Sequence, residues 1–317
     1  MKAIRIHNFG DADVLKYEDV PEPRPGTGEM RIRIIAAGVN PVDWKIRRGM
    51  TGQLPLPMTL GLDVAGLVDM LGPDVRNFQP GDAVFGKATR EHGGYAEYTV
   101  LEAATVARKP DSLSFVDAAA IPTAGLTAWQ ALFDKAGLMS EQTILIHGAA
   151  GGVGGFAVQF AKWKGAQVIG TATGEGIAFA KSLGADEVID YRTQRFEEIV
   201  HDADVVLDTI GGDTQARSWS VLKAGGFLVT TVGLTTPEEA EAHGVRATGF
   251  RSWTDSGELT QIAELIVQGH VQPMVTTVLP LTAAMQAQQM SESGHVHGKI
   301  ILRVAEEPGQ RTGQMAA

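Results

Sequence analysis

Residues 143–147, Thr-Ile-Leu-Ile-His, followed by Gly148-Ala149-Ala150-Gly151-Gly152-Val153-Gly154, form the stretch of this chain best suited by residue type to chemistry. The first five read as a buried strand. Beyond the glycines, Val153, Phe156, Ala157, Phe160 and Ala161 fall on one face of a helix. A turn leading from a buried strand into a helix presents unpaired N–H groups and the positive end of the helix dipole, which suits a diphosphate. The spacing Ala149-x-Gly151-x-x-Gly154 keeps two of the three glycines of the dinucleotide-binding fingerprint. Ala150, Gly151, Gly152, Val153 and Gly154 are therefore the candidate cofactor contacts. A tight turn in some other α/β fold is the alternative, and the flanking strand and helix argue against it. His147 reads as a packing or hydrogen-bonding residue rather than a catalytic one.

The nature of the dinucleotide follows from the next two strand ends. An NAD-preferring fold puts an acidic residue about twenty positions after the loop. Here Gly170-Thr171-Ala172-Thr173-Gly174 stands instead, and the small hydroxylated Thr171 and Thr173 leave room for a 2′-phosphate. Tyr191 and Arg192, after the third strand, would add donors and a positive charge. Glu175 would repel a phosphate. The expectation is NADPH, with NADH the lesser alternative.

These residues need a frame. From 1 to 117 the pattern is short strands at 2–7, 30–39, 64–71, 83–85 and 95–100, separated by turn residues. From 118 to 255 strands alternate with helices, which predicts a parallel sheet with right-handed crossovers. Its strands are expected at 143–147, 167–171, 187–190, 204–208 and 226–231, with helices near 177–183, 196–200 and 214–222. The stretch 256–317, with helices near 259–268 and 283–291 and a strand at 299–304, is too short for a domain of its own. It is expected to complete the N-terminal module and to end in a polar tail from about 305. The fold class is thus α/β: a β module of 1–117 and 256–317, and a doubly wound Rossmann domain of 118–255.

Bulk properties narrow the function classes. A chain of 317 residues exceeds what one core usually organises. The balance of 27 basic against 37 acidic residues gives a formal charge of -10, which disfavours nucleic acid and anionic lipid as partners. With no cysteine there can be no disulfide, thiolate nucleophile or cysteine-built zinc site. No export signal or membrane-crossing run is visible, so a cytoplasmic protein is expected.

Several further segments carry a likeness in sequence order: Gly38-Val39-Asn40-Pro41-Val42-Asp43-Trp44-Lys45, Gly61-Leu62-Asp63-Val64-Ala65-Gly66, Gly81-Asp82-Ala83-Val84-Phe85-Gly86, Gly93-Gly94-Tyr95-Ala96-Glu97-Tyr98, the run from Ile121 to Ala128, and Gly298-Lys299-Ile300-Ile301-Leu302. Together with the glycine turn they resemble the medium-chain dehydrogenase/reductase superfamily, in its zinc-independent quinone oxidoreductase and enone reductase branch. The resemblance spans nearly the whole chain. It implies a GroES-like β domain built from both chain ends, a Rossmann domain between, and a nicotinamide in the cleft where they meet. Zinc-dependent relatives carry a cysteine at the position of Asn40 and a His-Glu pair at Leu62 and Asp63, so all three ligands are altered here. Without that Lewis acid, reduction of an already polarised acceptor becomes the expected chemistry.

The same resemblance makes Asn40, Asp43 and Lys45 the candidate catalytic residues. Asn40 and Asp43 would shape the site, and the Lys45 ammonium would stabilise developing enolate charge. The competing reading for Asp43 and Lys45 is a pair in a turn that only pins the loop. Thr127 resembles a threonine that reaches the cofactor, or else caps the start of a helix. Gly233, Leu234 and Phe250 would border the nicotinamide, and Lys299 faces either the cofactor or the domain surface. Tyr95 and Tyr98 read as packing residues, and Trp129, Trp163, Trp219 and Trp253 as core or interface. His295 and His297 would share a strand face, but no third metal ligand stands near them, so no metal is expected. The expected function is an NADPH-dependent oxidoreductase that passes hydride to the C=C bond of an α,β-unsaturated carbonyl or to a quinone. The other class in view is a catalytically weak NADPH-binding protein. The partner is a small electrophile, and a homodimer is expected by edge-to-edge joining of Rossmann sheets at 226–231.

Overall fold

In the computed structural model residues 1–52, 54–235 and 237–307 are described, and the expected tail beyond 307 lies outside them. The chain divides into two compact units: Met1–Pro122 with Thr277–Gly294 and Ile300–Ala317, and Thr123–Thr276 with His295–Lys299. The division differs from the expected limits at 117/118 and 255/256, since 256–276 sits in the second unit. Packing explains this. Helix Ser256–Val267 buries Leu259, Ile262, Ala263 and Leu265, and the Gln159 side chain donates to Gln272 O at 3.2 Å and accepts from Gln272 N at 2.8 Å.

The second unit is a six-stranded parallel sheet. Its order is Glu187–Asp190, Gln167–Ala172, Thr143–His147, Ala203–Asp208, Leu222–Thr230, Arg246–Gly249. Ile144, Leu145 and Ile146 of the central strand are fully buried, as expected where helices cover both faces of a parallel sheet. Helix Gly152–Lys164 buries Phe156, Ala157, Phe160 and Ala161, the face read from the sequence. Trp219 closes the core around Leu145, Phe196, Val206 and Leu228, whereas Trp163 and Trp253 are partly exposed. The strand expected at 226–231 spans Leu222–Thr230 and lies inside the sheet. Arg246–Gly249 forms that edge, with Phe227 opposite Arg246. The expected dimer edge at 226–231 is therefore corrected: both of its sides are already paired.

In the first unit the organising element is strand Glu29–Val39, which pairs antiparallel with Asp63–Leu71, Tyr98–Glu102 and Lys299–Arg303. A smaller sheet joins Lys16–Asp19, Lys2–Ile6 and Met58–Thr59. The long strand runs straight into helix Pro41–Arg47. The competing reading of Asp43 and Lys45 puts a turn there. Pro41 instead takes the first helical position, where its missing N–H costs nothing, and the Asp43 carboxylate accepts the Asn40 backbone N–H at 2.8 Å. Among the described residues no helix is long and apolar enough to cross a membrane.

Candidate active site

Strand order reverses between Thr143–His147 and Ala203–Asp208, so the glycine turn opens at the switch point of the sheet, where open α/β folds bind ligands. Two glycines are sterically obligatory. Gly148 has φ +71, and a Cβ there would lie 2.7 Å from Thr209 Oγ1; a Cβ on Gly154 would lie 2.1 Å from Gly148 O. Any side chain at 154 would push the helix off the turn. Gly151 caps helix Gly152–Lys164, whose first N–H groups have no intrahelical acceptor. Gly151, Gly152 and Val153 remain partly accessible, and the Ala150 carbonyl accepts Gly298 N–H at 2.9 Å. This bare, short-side-chain cradle at a helix N-terminus fits a diphosphate.

A buried relay stiffens the turn from below. Gly148 N–H donates to Thr171 Oγ1 at 3.3 Å, Thr171 Oγ1 lies 3.2 Å from His147 Nδ1, and His147 Nε2 lies 2.9 Å from Ser218 Oγ. Ser218 in turn donates to Thr214 O, so a neutral His147 with its proton on Nε2 satisfies every group. Burial lowers the imidazole pKa to about 4. His147 is thus a hydrogen-bonding core residue. The Thr171 hydroxyl, expected at the cofactor, is taken up by this relay.

At the next two strand ends Thr173 is partly buried, while Glu175, Tyr191 and Arg192 are exposed. Asp190 is held below the usual carboxylate range, chiefly by the Arg192 backbone N–H and then by the Thr173 hydroxyl. Arg192 Nη2 lies 3.5 Å from His295 Nε2, whereas the His297 ring stacks on Phe179 with centroids 6.1 Å apart. The two histidines therefore turn to different partners and do not share a strand face. Among the described residues no three His, Cys, Asp or Glu side chains are grouped as a metal site.

The remaining candidates of this unit lie near strand and helix ends. Gly233 and Leu234 follow strand Leu222–Thr230, and Phe250 follows Arg246–Gly249, its N–H bonded to Thr230 O at 3.1 Å. Lys299 is buried, and its Cδ lies 2.9 Å from where a Cβ on Gly152 would stand. The surface alternative for Lys299 is thereby overturned. Thr127 lies near the end of helix Pro122–Trp129, not at its start. Its hydroxyl is bonded to Thr123 O and Ser252 Oγ at 2.6 and 2.9 Å, so the cap reading fails. Sequence reasoning missed the turn at 208–211. There the buried Asp208 carboxylate accepts Ile210 N–H, Gly211 N–H and Gln215 Nε2–H at 2.7–2.9 Å, and Thr209 Oγ1 donates to His147 O at 2.8 Å. The doublet Gly211-Gly212 after an apolar strand was the available signal.

In the other unit Asn40, Asp43 and Lys45 follow the end of strand Glu29–Val39, in and just before helix Pro41–Arg47. Asn40 Nδ2 donates to Asp63 Oδ2 at 2.9 Å, and Tyr95 Oη donates to Asp43 Oδ2 at 2.7 Å. Asn40, Asp43, Asp63 and Tyr95 are all buried. Burial, then the Asp43 carboxylate, drives the Tyr95 phenol well above its usual pKa. Lys45, two positions along the helix, faces roughly the opposite way. It is partly exposed, with Nζ 5.6 Å from the Trp44 ring centroid. A helix stands where the competing reading has a turn; Asp43 pins its start, as that reading has it, and Lys45 faces away from the pin. Asn40, Leu62 and Asp63, the positions that the resemblance assigns to zinc ligands, carry an amide, an apolar side chain and a carboxylate already bonded to that amide. Such a set offers zinc neither thiolate nor imidazole and does not fit the ion.

A Rossmann sheet with a diphosphate cradle, in one chain with an antiparallel β unit whose long strand ends in a polar cluster, defines a dinucleotide-dependent oxidoreductase of two-unit build. Residues 26–111 match the alcohol dehydrogenase GroES-like domain family and 183–302 the zinc-binding dehydrogenase family. The chain is 36% identical over 318 residues to the 2-methylene-furan-3-one reductase of Solanum lycopersicum, covering 95% of this chain and 79% of that one. Among solved structures, the quinone oxidoreductase from Coxiella burnetii superposes with a TM-score of 0.91 at 38% identity, covering 96% of this chain and 99% of that one. The Escherichia coli quinone oxidoreductase complexed with NADPH gives 0.89 at 29% identity, covering 96% and 100%. The chain belongs to the medium-chain dehydrogenase/reductase superfamily, in its quinone oxidoreductase and enone reductase branch.

Proposed function

We propose that the protein reduces the C=C bond of α,β-unsaturated carbonyls, or quinones, at the expense of NADPH. The observation that carries this reading is the glycine turn at the sheet's switch point, where Gly154 packs on Gly148 O and leaves a helix N-terminus open to a diphosphate. Bound there, the cofactor would supply a hydride from its nicotinamide C4 to the β-carbon of the acceptor, and a proton from solvent or a side chain would complete the product. Ala150 to Gly154 bind the diphosphate. Thr173, Tyr191 and Arg192 receive the 2′-phosphate, against which the exposed Glu175 works. Thr127, Gly233, Leu234, Phe250 and Lys299 border the rest of the cofactor. As electrons move from the C=C bond onto the carbonyl oxygen, the Lys45 ammonium offsets the growing negative charge. Asn40 and Asp43 hold the approach to Lys45 in shape through their buried hydrogen bonds.

The assay is NADPH oxidation with 1,4-benzoquinone set against a panel of 2-enones. Faster turnover of enones selects that substrate class, and turnover of quinone alone selects the second reading, which relatives named quinone oxidoreductase support. Failure of both NADPH and NADH to bind in calorimetry would end the proposal. Lys45→Ala is expected to lower kcat/KM for the acceptor about tenfold; unchanged kcat and KM would remove its role. We further propose a cytoplasmic homodimer, formed through the sheet edge at Arg246–Gly249 rather than through 226–231. Sedimentation showing only monomer would refute it.

A further inference from the structure

We propose that Gln130 is a positioning residue for cofactor binding: its side-chain amide locks the segment 250–255 in place, and with it the Phe250 ring. This rests on the reading given above, in which Phe250 borders the nicotinamide.

The segment joins strand Arg246–Gly249 to helix Ser256–Val267 and has no regular structure of its own. Something must hold six residues in one conformation beside a binding edge. Gln130 is fully buried and begins the π-helical stretch Gln130–Lys135 that continues helix Pro122–Trp129. Such π-helical turns are concentrated at functional sites. The Gln130 amide pairs with the Trp253 backbone at two points: Trp253 N–H donates to Oε1 at 3.2 Å, and Nε2 donates to Trp253 O at 3.1 Å. One side chain thus does for this segment what a neighbouring strand would do. Nε2 also donates to Glu258 Oε2 at 2.6 Å, so both amide hydrogens are used, one for the segment and one for the following helix.

Neighbouring contacts point the same way. Thr127, one turn earlier, holds Ser252 through their hydroxyls at 2.9 Å. Lys135 Nζ lies 5.0 Å from the Trp253 ring centroid. Asp255 caps the helix by accepting Glu258 N–H at 2.9 Å. Phe250 is the first residue of the segment, anchored to Thr230 O, and the Gln130 clamp fixes its far end. Loss of the clamp frees four or five residues to swing about that anchor, which costs binding rather than chemistry.

The clamp is also sensitive to charge. Glu258 faces Asp134 from the π-helical stretch and Asp255 from its own helix cap, while Gln130 donates to it. Burial, with Asp134 and Asp255 added, raises its pKa to about 7. Below that pH the neutral carboxyl sits comfortably beside Asp134. Above it three carboxylates oppose one another at the base of the segment.

The test compares wild type, Gln130→Met, Glu258→Gln and the exchange Gln130→Glu/Glu258→Gln. Three measurements are made on each: KM for NADPH, kcat, and amide hydrogen exchange of residues 250–255 without cofactor. Gln130→Met keeps the volume and removes the polar atoms. It is expected to raise KM for NADPH about tenfold with kcat within about twofold, and to speed exchange at Trp253. The exchanged pair keeps the Trp253 N–H acceptor and the 130–258 bond but sets an oxygen against Trp253 O, and is expected to recover only part of KM and of the protection. Wild-type KM should rise as pH passes about 7, and Glu258→Gln should flatten that profile. Faster exchange with unchanged KM would overturn the inference while leaving the proposed reductase standing, as would unchanged exchange in Gln130→Met. No NADPH turnover by wild type would instead break the functional reading itself, whatever the exchange data show.

Discussion

The two units equip the protein in opposite ways. At the glycine turn the groups offered are backbone amides, and side chains are kept away because Gly148 and Gly154 leave no room for a Cβ. In the cluster after strand Glu29–Val39 the groups are side chains, and they are largely committed to one another: Asn40 to Asp63, Tyr95 to Asp43. The first arrangement is open to a ligand and intolerant of substitution. The second is closed, and its polar residues stabilise geometry, which leaves Lys45 as the partly exposed charge. A helix N-terminus can bind an anion without any specific side chain; a reacting carbonyl needs a particular one.

The comparison can be broken at several points. The largest effect is expected from Gly154→Ala, which sets a methyl group against Gly148 O and should weaken NADPH binding on the order of a hundredfold by calorimetry; tight binding would show that the turn yields. Next comes the relay beneath the turn. His147 has a folded pKa below its unfolded value, so the unfolded chain takes up the proton first as pH falls. The stability due to neutral His147 is full above about pH 6.5 and lost on the way down through about 4. It should decline by about 2 kcal/mol between pH 7 and 5 in urea titrations, and less in His147→Gln. In the closed cluster, Tyr95→Phe takes the phenol donor from Asp43, which keeps the Asn40 backbone N–H, and should cost about 1–2 kcal/mol of stability, with a smaller change in kcat. The smallest effect is expected from Arg192→Ala, about a fivefold loss of preference for NADPH over NADH in kcat/KM. Equal losses for both cofactors would remove Arg192 from 2′-phosphate recognition.

Where local pattern and tertiary burial agree, the sequence was legible. The strands at 143–147 and 187–190 fall where the apolar runs place them, and the helix after the glycine turn buries the face its periodicity marks. The strand Arg246–Gly249 was not legible, because Arg-Ala-Thr-Gly has no apolar alternation and is held by its register with Phe227 and Thr230. Helix Pro41–Arg47 was hidden because Pro41 reads both as a breaker and as a first helical residue; the decision came from Asp43 reaching back to Asn40. Helix Ser256–Val267 was visible, but which unit it serves depends on the Gln159–Gln272 contacts, 113 residues apart. At the candidate site the turn and the residues after each strand could be read, since position along a parallel sheet fixes them. The Asp208 turn was announced only by Gly211-Gly212, and the Gln130 clamp not at all, because it pairs residues 123 positions apart that no spacing connects.

The strand that ends at Asn40 has a late partner. Ile300 lies opposite Val39 and Arg303 opposite Ala36, so the last described strand completes the sheet beside one of the first. Until the ribosome has delivered residue 303, the segment leading into Asn40 lacks that neighbour. The Asn40 end of that strand is therefore among the last parts of its sheet to be completed, and a chain lacking residues 300–303 should keep the six paired strands of the parallel sheet while one side of residues 36–39 stays open.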